Sequence, residues 1–310
     1  MRRGRLGGFV HALTMAVSSL RAFARYPSLF VALGVVWVGL AAAGWLALPL
    51  VAHLFDSSAM DSETTFWLTV AAVSVCVLAV AGVALSFGCL VVLERVRQIE
   101  MDESRSLTRA LGCALVNTVR ALPLVLIWSV LWLAVSAVGF LLGGGEDDDR
   151  DMGDGVLDWS LRVACDAMRM LMFCSLPALA WEVGERPLGA ARRGMAVARR
   201  HKAEFGVGLL LSELAGQIAL LPLAGVAVAY MGGVDLPEVA WLGAVALSLL
   251  LWTFVMLVQQ LYAAELYVWH LLWEDASAHS VAAGEASIAP DAVTRPSLLD
   301  GVPALAAVGL

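Results

Sequence analysis

Six long apolar stretches recur along the chain, at 28–55, 66–93, 122–142, 157–183, 205–230 and 239–273. A helix rising about 1.5 Å per residue needs about 20 such residues to cross a hydrocarbon layer ~30 Å thick. Backbone groups in lipid must pair within their own segment, so each stretch predicts a helix. Composition agrees. The 310 residues are 60% hydrophobic and 15% charged, whereas a soluble domain carries about 25% charged residues. The sequence therefore predicts an all-α polytopic membrane protein with six transmembrane helices. Its expected organisation is an amphipathic N-terminal segment over 1–27, a transmembrane domain over 28–273 and a disordered tail over 274–310. The tail is set apart by its Ala, Ser, Gly, Pro and Asp content.

The connections between stretches are sorted by charge. Arg2, Arg3, Arg5, Arg21 and Arg25 precede the first stretch. Arg95, Arg97, Arg105 and Arg109 lie between the second and third, with Arg120 just beyond. Arg186, Arg192, Arg193, Arg199, Arg200 and Lys202 lie between the fourth and fifth. The other connections hold one basic residue, Arg150, against Asp56, Asp61, Glu63, the acidic run 146–158, Asp235 and Glu238. Cytoplasmic loops of membrane proteins carry the excess of Lys and Arg, so this alternation predicts cytoplasmic N- and C-termini in a cell (inner) membrane. Trp67, Trp159 and Trp241 then fall near the outer helix ends, and Trp181, Trp269 and Trp273 near the inner ends, as an interfacial belt would.

Each odd-numbered stretch follows a basic segment with helical apolar spacing. The first carries Leu6, Phe9, Val10, Leu13, Val17, Leu20 and Phe23. The second carries Leu107, Leu111, Leu115 and Val119, and the third runs over 187–205. The pattern predicts three transmembrane hairpins, each preceded by an amphipathic cytoplasmic segment. Basic residues there would attract anionic lipid headgroups, each contributing about 1 kcal/mol.

Catalytic chemistry has no foothold in the sequence. There is no phosphate-binding glycine loop, no nucleophile elbow and no His-Glu-x-x-His motif. The five cysteines lie in or beside apolar stretches without a Cys-x-x-Cys pair, and the histidines are scattered. Neither a metal site nor a cofactor site is predicted, and nothing suggests nucleic-acid binding. The run 146–158 partly fits a calcium loop, with Asp147, Asp149, Asp151 and Asp158 at ligand positions. Met152 stands where that loop needs its sharp-turn glycine, so a solvated acidic loop is the simpler reading.

Polar residues inside the apolar stretches are the candidate site. Arg162, Asp166 and Arg169 are four and three residues apart, on one face of the fourth helix. Glu213 and Gln217 are one turn apart on the fifth, and the sixth carries Gln259, Gln260 and Glu265. Charge at membrane depth is costly unless paired. Arg162, Asp166, Arg169, Glu213 and Gln217 thus read either as a structural ion cluster or as part of a substrate or ion path.

Residues 175–193, Ser175-Leu-Pro-Ala-Leu-Ala-Trp-Glu-Val-Gly-Glu-Arg-Pro-Leu-Gly-Ala-Ala-Arg-Arg193, carry a proline within a helix, an acid at its end and then a basic segment opened by proline. This stretch resembles a signature of uncharacterised bacterial six-helix inner-membrane families akin to the YciC-like proteins and the membrane domain of glycerophosphodiester phosphodiesterases. The opening Leu20-Arg-Ala-Phe-Ala-Arg-Tyr-Pro27 is similar to their usual start. The resemblance spans roughly residues 10 to 273 and implies an all-helical membrane fold. The phosphodiesterase relatives keep catalysis in a separate soluble domain, so no catalytic residue carries over. The expected function is that of a non-enzymatic scaffold or lipid-facing accessory component. The alternative is a small transporter or channel, with its polar path through helices four to six.

Overall fold

A computed structural model describes residues 2–56, 63–103, 106–143, 152–182, 184–282, 288–294, 298–299 and 304–307. The acidic loop up to residue 151 lies outside the described residues, as do the side chains of 152–159 and of Arg162. Nine helices follow one another among the described residues: α1 (Arg2–Arg25), α2 (Phe30–Asp56), α3 (Glu63–Glu100), α4 (Leu107–Gly143), α5 (Met152–Trp181), α6 (Pro187–Arg200), α7 (Lys202–Met231), α8 (Glu238–Ala282) and α9 (Ala304–Ala307). Two short 3-10 turns, Pro27–Leu29 and Pro290–Ala292, complete the order, and no strand occurs among the described residues. Five helices are long and apolar enough to cross a membrane, or six if the bent pair of α1 and α2 forms one span.

Consecutive long helices pack side by side: α2 on α3, α3 on α4, α4 on α5, and α7 on α8. α8 also contacts α1, α2, α3 and α5, which makes it the central strut. Its stretch from Gln259 to His270 is buried without interruption. The core concentrates at one end of the bundle, where Leu90, Leu93, Phe173, Leu176, Leu179, Leu261, Tyr267 and Trp269 meet. That end also carries α6 and the connection from α3 to α4, and we call it the basic end. Towards the opposite end, large apolar residues such as Val38, Trp45, Val130, Val239 and Leu242 remain exposed. Apolar exposure on this scale is the surface of a bundle solvated by lipid.

α1 meets the start of α2 at 94°. Pro27 sets the corner, because the residue before a proline is pushed out of helical geometry; Tyr26 has an extended φ of −121°. α1 buries Ala12, Met15, Ser19, Ala22 and Phe23 against α7 and α8. Phe23 lies edge-on to Phe30 and Phe254, at centroid distances of 5.5 and 5.2 Å. Ser18 Oγ is 2.9 Å from both carboxylate oxygens of Glu265, so a hydroxyl on α1 engages an otherwise buried charge on α8. The first amphipathic segment is thus an integral layer of the bundle.

The second amphipathic segment is not a separate helix. α4 runs unbroken from Leu107 through Pro123 to Gly143. Pro123 removes one ladder hydrogen bond without ending the helix, a loss that helices packed among neighbours tolerate. Only the third unit has a distinct surface helix, α6. It is parted from α7 at His201, whose ψ of 49° leaves the helical range.

One further expectation is corrected. Trp181 and Trp269 are buried rather than members of an interfacial belt; their indoles donate to the carbonyls of Leu93 and Val293 at 3.4 and 3.3 Å. The described residues of the tail make contacts with the helices. α8 continues to Ala282, and Trp273 Nε1 donates to Ile288 O at 2.8 Å. Leu298, Leu299 and Leu305 are buried in the core cluster. Glu100, at the end of α3, accepts the backbone N–H of Leu299 at 2.6 Å and of Leu305 at 3.4 Å. Arg25 donates to Leu299 O at 3.3 Å. Three leucines and the Glu100 carboxylate carry these contacts.

Candidate functional site: a polar cluster at membrane depth

α5, α7 and α8 bring polar side chains to one level. Helical geometry puts Asp166 and Arg169 on one face, and the Arg169 Nη2–Asp166 Oδ1 distance is 2.6 Å. Arg169 Nη2 also donates across to Ser212 Oγ on α7 at 2.7 Å. Ser212 Oγ accepts a second hydrogen bond, from Gln259 Nε2 on α8, at 2.6 Å. Asp166 lies beside Glu213, and Gln217 Nε2 donates to Glu213 Oε1 at 3.0 Å. Ser212 and Gln259 each lie ten residues inside Lys202 and Trp269, about 15 Å along their helices. That is about half the thickness of a hydrocarbon layer.

Four of the five candidate residues therefore come together: Asp166, Arg169, Glu213 and Gln217. Arg162 lies on α5 one turn before Asp166, and its side chain falls outside the described residues. Ser212 is the residue that sequence reasoning missed. Its one signal was adjacency to Glu213, since a serine in a helix otherwise reads as a small packing residue. Gln260 turns from the cluster and donates to the Phe173 carbonyl at 3.1 Å. Glu265 belongs to the contact with α1 and not to this site.

Asp166 and Glu213 set two acidic groups beside the Arg169 guanidinium, and an opposite charge within reach is what a cation in a low-dielectric site requires. Arg169 also forms part of the wall of a cavity of about 260 Å³ whose other sides include Trp128, Trp132 and Trp252. On the other side of the cluster, a groove of about 240 Å³ runs between Leu13, Val17, Phe254 and Tyr262, with Ser212 and Gln259 in its wall. Both spaces are walled mainly by aliphatic and aromatic groups.

A second constellation occupies the basic end. Gly184 has φ +79°, a left-handed turn that reverses the chain from α5 into α6. Glu182, just beyond α5, pairs with Arg193 on α6 at 3.4 Å and accepts a hydrogen bond from the Tyr267 hydroxyl. Arg193 also reaches Glu274 at 3.2 Å, and His270 faces the same carboxylate at 3.3 Å. Arg120 donates to the carbonyls of Leu179 and Glu185, tying α4 to this turn. His201 is buried with its ring centroid 4.2 Å from Trp269. Burial, helped by the positive charge available at His270 and Arg200, pushes its imidazole down to about 3. The ring is therefore neutral at physiological pH.

Arg199, Arg200 and Lys202 line an open cleft of about 640 Å³ against Ile288, Ala289 and Pro290. The Arg200 guanidinium stacks 4.0 Å from the Trp273 ring. Among the described residues these three cations make no ion pair, in contrast to Arg97, Arg109, Arg169 and Arg193. α7 begins at the same cleft, and its N-cap residue, His201, makes no side-chain cap. Comparison with known protein families, curated proteins and solved structures finds no match to this chain.

Proposed function

We propose that the chain is a non-enzymatic multipass protein of the inner membrane, with both termini in the cytoplasm. In this reading it is a scaffold or lipid-facing accessory component that holds anionic lipid headgroups at its basic end. The observation that carries the reading is the cleft of Arg199, Arg200 and Lys202, three cations that make no ion pair among the described residues. Headgroup phosphates would meet these side chains and the start of α7, where the helix dipole favours negative charge. The polar cluster also supports the scaffold reading, because Arg169 is already paired with Asp166 and bonded to Ser212. The likeness of residues 175–193 to six-helix families belongs to the same reading, with Glu182, Arg193 and Gly184 as fold-holding residues.

The test is lipid retention. The protein is purified into nanodiscs of mixed phosphatidylglycerol and phosphatidylcholine, and the co-purified lipid is read by native mass spectrometry. The wild type should retain phosphatidylglycerol preferentially. The Arg199→Gln, Arg200→Gln, Lys202→Gln triple variant should lose that preference. Equal retention of both lipids by the wild type would remove the proposal.

The placing of Asp166 beside Glu213 favours the second reading, a small transporter or channel. Neighbouring acidic side chains within a spanning segment are where proton coupling is built. Proton flux in sealed proteoliposomes, abolished by Glu213→Gln, would support that reading over the scaffold.

A further inference from the structure

Polar side chains in a spanning helix ordinarily turn towards the bundle, and Gln217 does not. α7 is the most lipid-exposed of the candidate spans: 6% of its apolar window is buried, against 50% for α3 and for α5. Gln217 lies on that exposed side. Its Nε2 is used by Glu213, while its Oε1 accepts nothing among the described residues. Lipid chains supply no donor, so lipid alone leaves this amide incompletely bonded.

The positions around Gln217 are ordered. Gly206, Leu210, Glu213, Gln217, Leu220 and Ala224 follow one another at alternating steps of four and three residues. That average of 3.5 residues traces a straight seam along one side of a helix that packs in a left-handed crossing. Glu213 is half-buried and the other five positions are exposed. Leu210 and Leu220 are 54% and 46% exposed. No heavy atom lies within 4 Å of where a Cβ on Gly206 would stand. The seam thus has small residues towards its ends, apolar knobs between them and a polar centre at Glu213 and Gln217, about 17 and 22 Å along α7.

We propose that this seam joins two copies of the chain through α7, with Gln217 of one copy facing Gln217 of the other across a two-fold axis. A second copy fits because the carboxamide is self-complementary: it carries both a donor and an acceptor, and parallel copies bring the same group to the same depth. An isologous contact satisfies both amides with one residue type. Small residues allow close approach, and interhelical amide bonds hold such pairs in lipid.

The experiment is cysteine cross-linking of the full chain in native membranes, in a background free of its own cysteines. Single cysteines at Leu210, Gln217 and Leu220 should form disulfide dimers of twice the chain mass. Ile218, 63% exposed on the same helix but off the seam, should cross-link at least fivefold less. Single-molecule photobleaching in liposomes supplies the second measurement. Gln217→Ala should raise the dimer dissociation constant about five- to tenfold while leaving the monomer folded, because Gln217 is exposed. Cross-linking as strong at Ile218 as at Gln217 would overturn the proposal. So would one-step bleaching at every protein-to-lipid ratio, or seam cross-links only to a different protein.

Discussion

The Arg169 guanidinium lies 2.6 Å from Asp166 and 2.7 Å from Ser212 Oγ, so it bridges two helices at membrane depth. Removing Asp166 alone takes away the carboxylate nearest this cation and leaves Glu213, on α7, as the acidic group beside it. Asp166→Ala should destabilise the fold by about 3–5 kcal/mol, the usual cost of removing one member of a buried pair. The double variant Asp166→Ala, Arg169→Ala should lose less than the sum of the two single variants. Thermal unfolding in nanodiscs reads both quantities, and strict additivity would show that the two residues are uncoupled.

The close approach of α6 to α5 predicts a steric effect. A Cβ on Gly194 would stand 3.0 Å from the Leu171 carbonyl oxygen, a backbone atom that cannot step aside. Gly194→Ala should therefore cost about 1–3 kcal/mol, as overpacked sites do. An unchanged melting temperature would mean that α6 is free to shift on α5.

Beyond α8, Leu298, Leu299 and Leu305 pack into the core cluster. Leu305→Ala should weaken this packing by about 2–5 kcal/mol, in line with other buried leucines. Glu100→Gln should weaken it through the carboxylate that accepts the Leu299 and Leu305 amides. Limited proteolysis checks both: the wild-type tail should resist cleavage around residues 298–305, and each variant should be cut there faster.

His201 predicts an acid limb in stability. Its folded imidazole is pushed down to about 3 from an ordinary value near 6.5. Below pH 6.5 the unfolded chain binds a proton that the folded chain does not. Stability is therefore full above pH 6.5, falls as pH drops and levels off near pH 3, with a slope of at most about 1.4 kcal/mol per pH unit. His201→Phe should flatten that limb between pH 6.5 and 4 in a melting series. An unaltered slope would place the titration elsewhere.

Much of this architecture was legible in the sequence because lipid solvation is a one-dimensional constraint. Apolar length sets the helices, and charge sorting separates their ends. The polar cluster was half legible. Helical spacing put Asp166 beside Arg169 and Glu213 beside Gln217, but spacing within one helix does not say which neighbour it meets. The Ser212 bridge and the reach of Gln259 depend on how α5, α7 and α8 pack. The contacts of the tail were not legible for a related reason: they depend on Glu100 and Trp273, partners that no local composition reveals. Trp181 and Trp269 were misread because helix-end tryptophans look alike whether they face lipid or a neighbouring carbonyl.

The membrane orientation tests the central claim most directly. In a background free of native cysteines, Asp235→Cys, in the turn between α7 and α8, should react with a membrane-impermeant maleimide added to intact cells. Ala196→Cys, exposed on α6 at the basic end, should react only after the cells are permeabilised. Labelling of Ala196→Cys from outside intact cells would contradict a basic end in the cytoplasm, and with it the proposed hold on anionic cytoplasmic lipid.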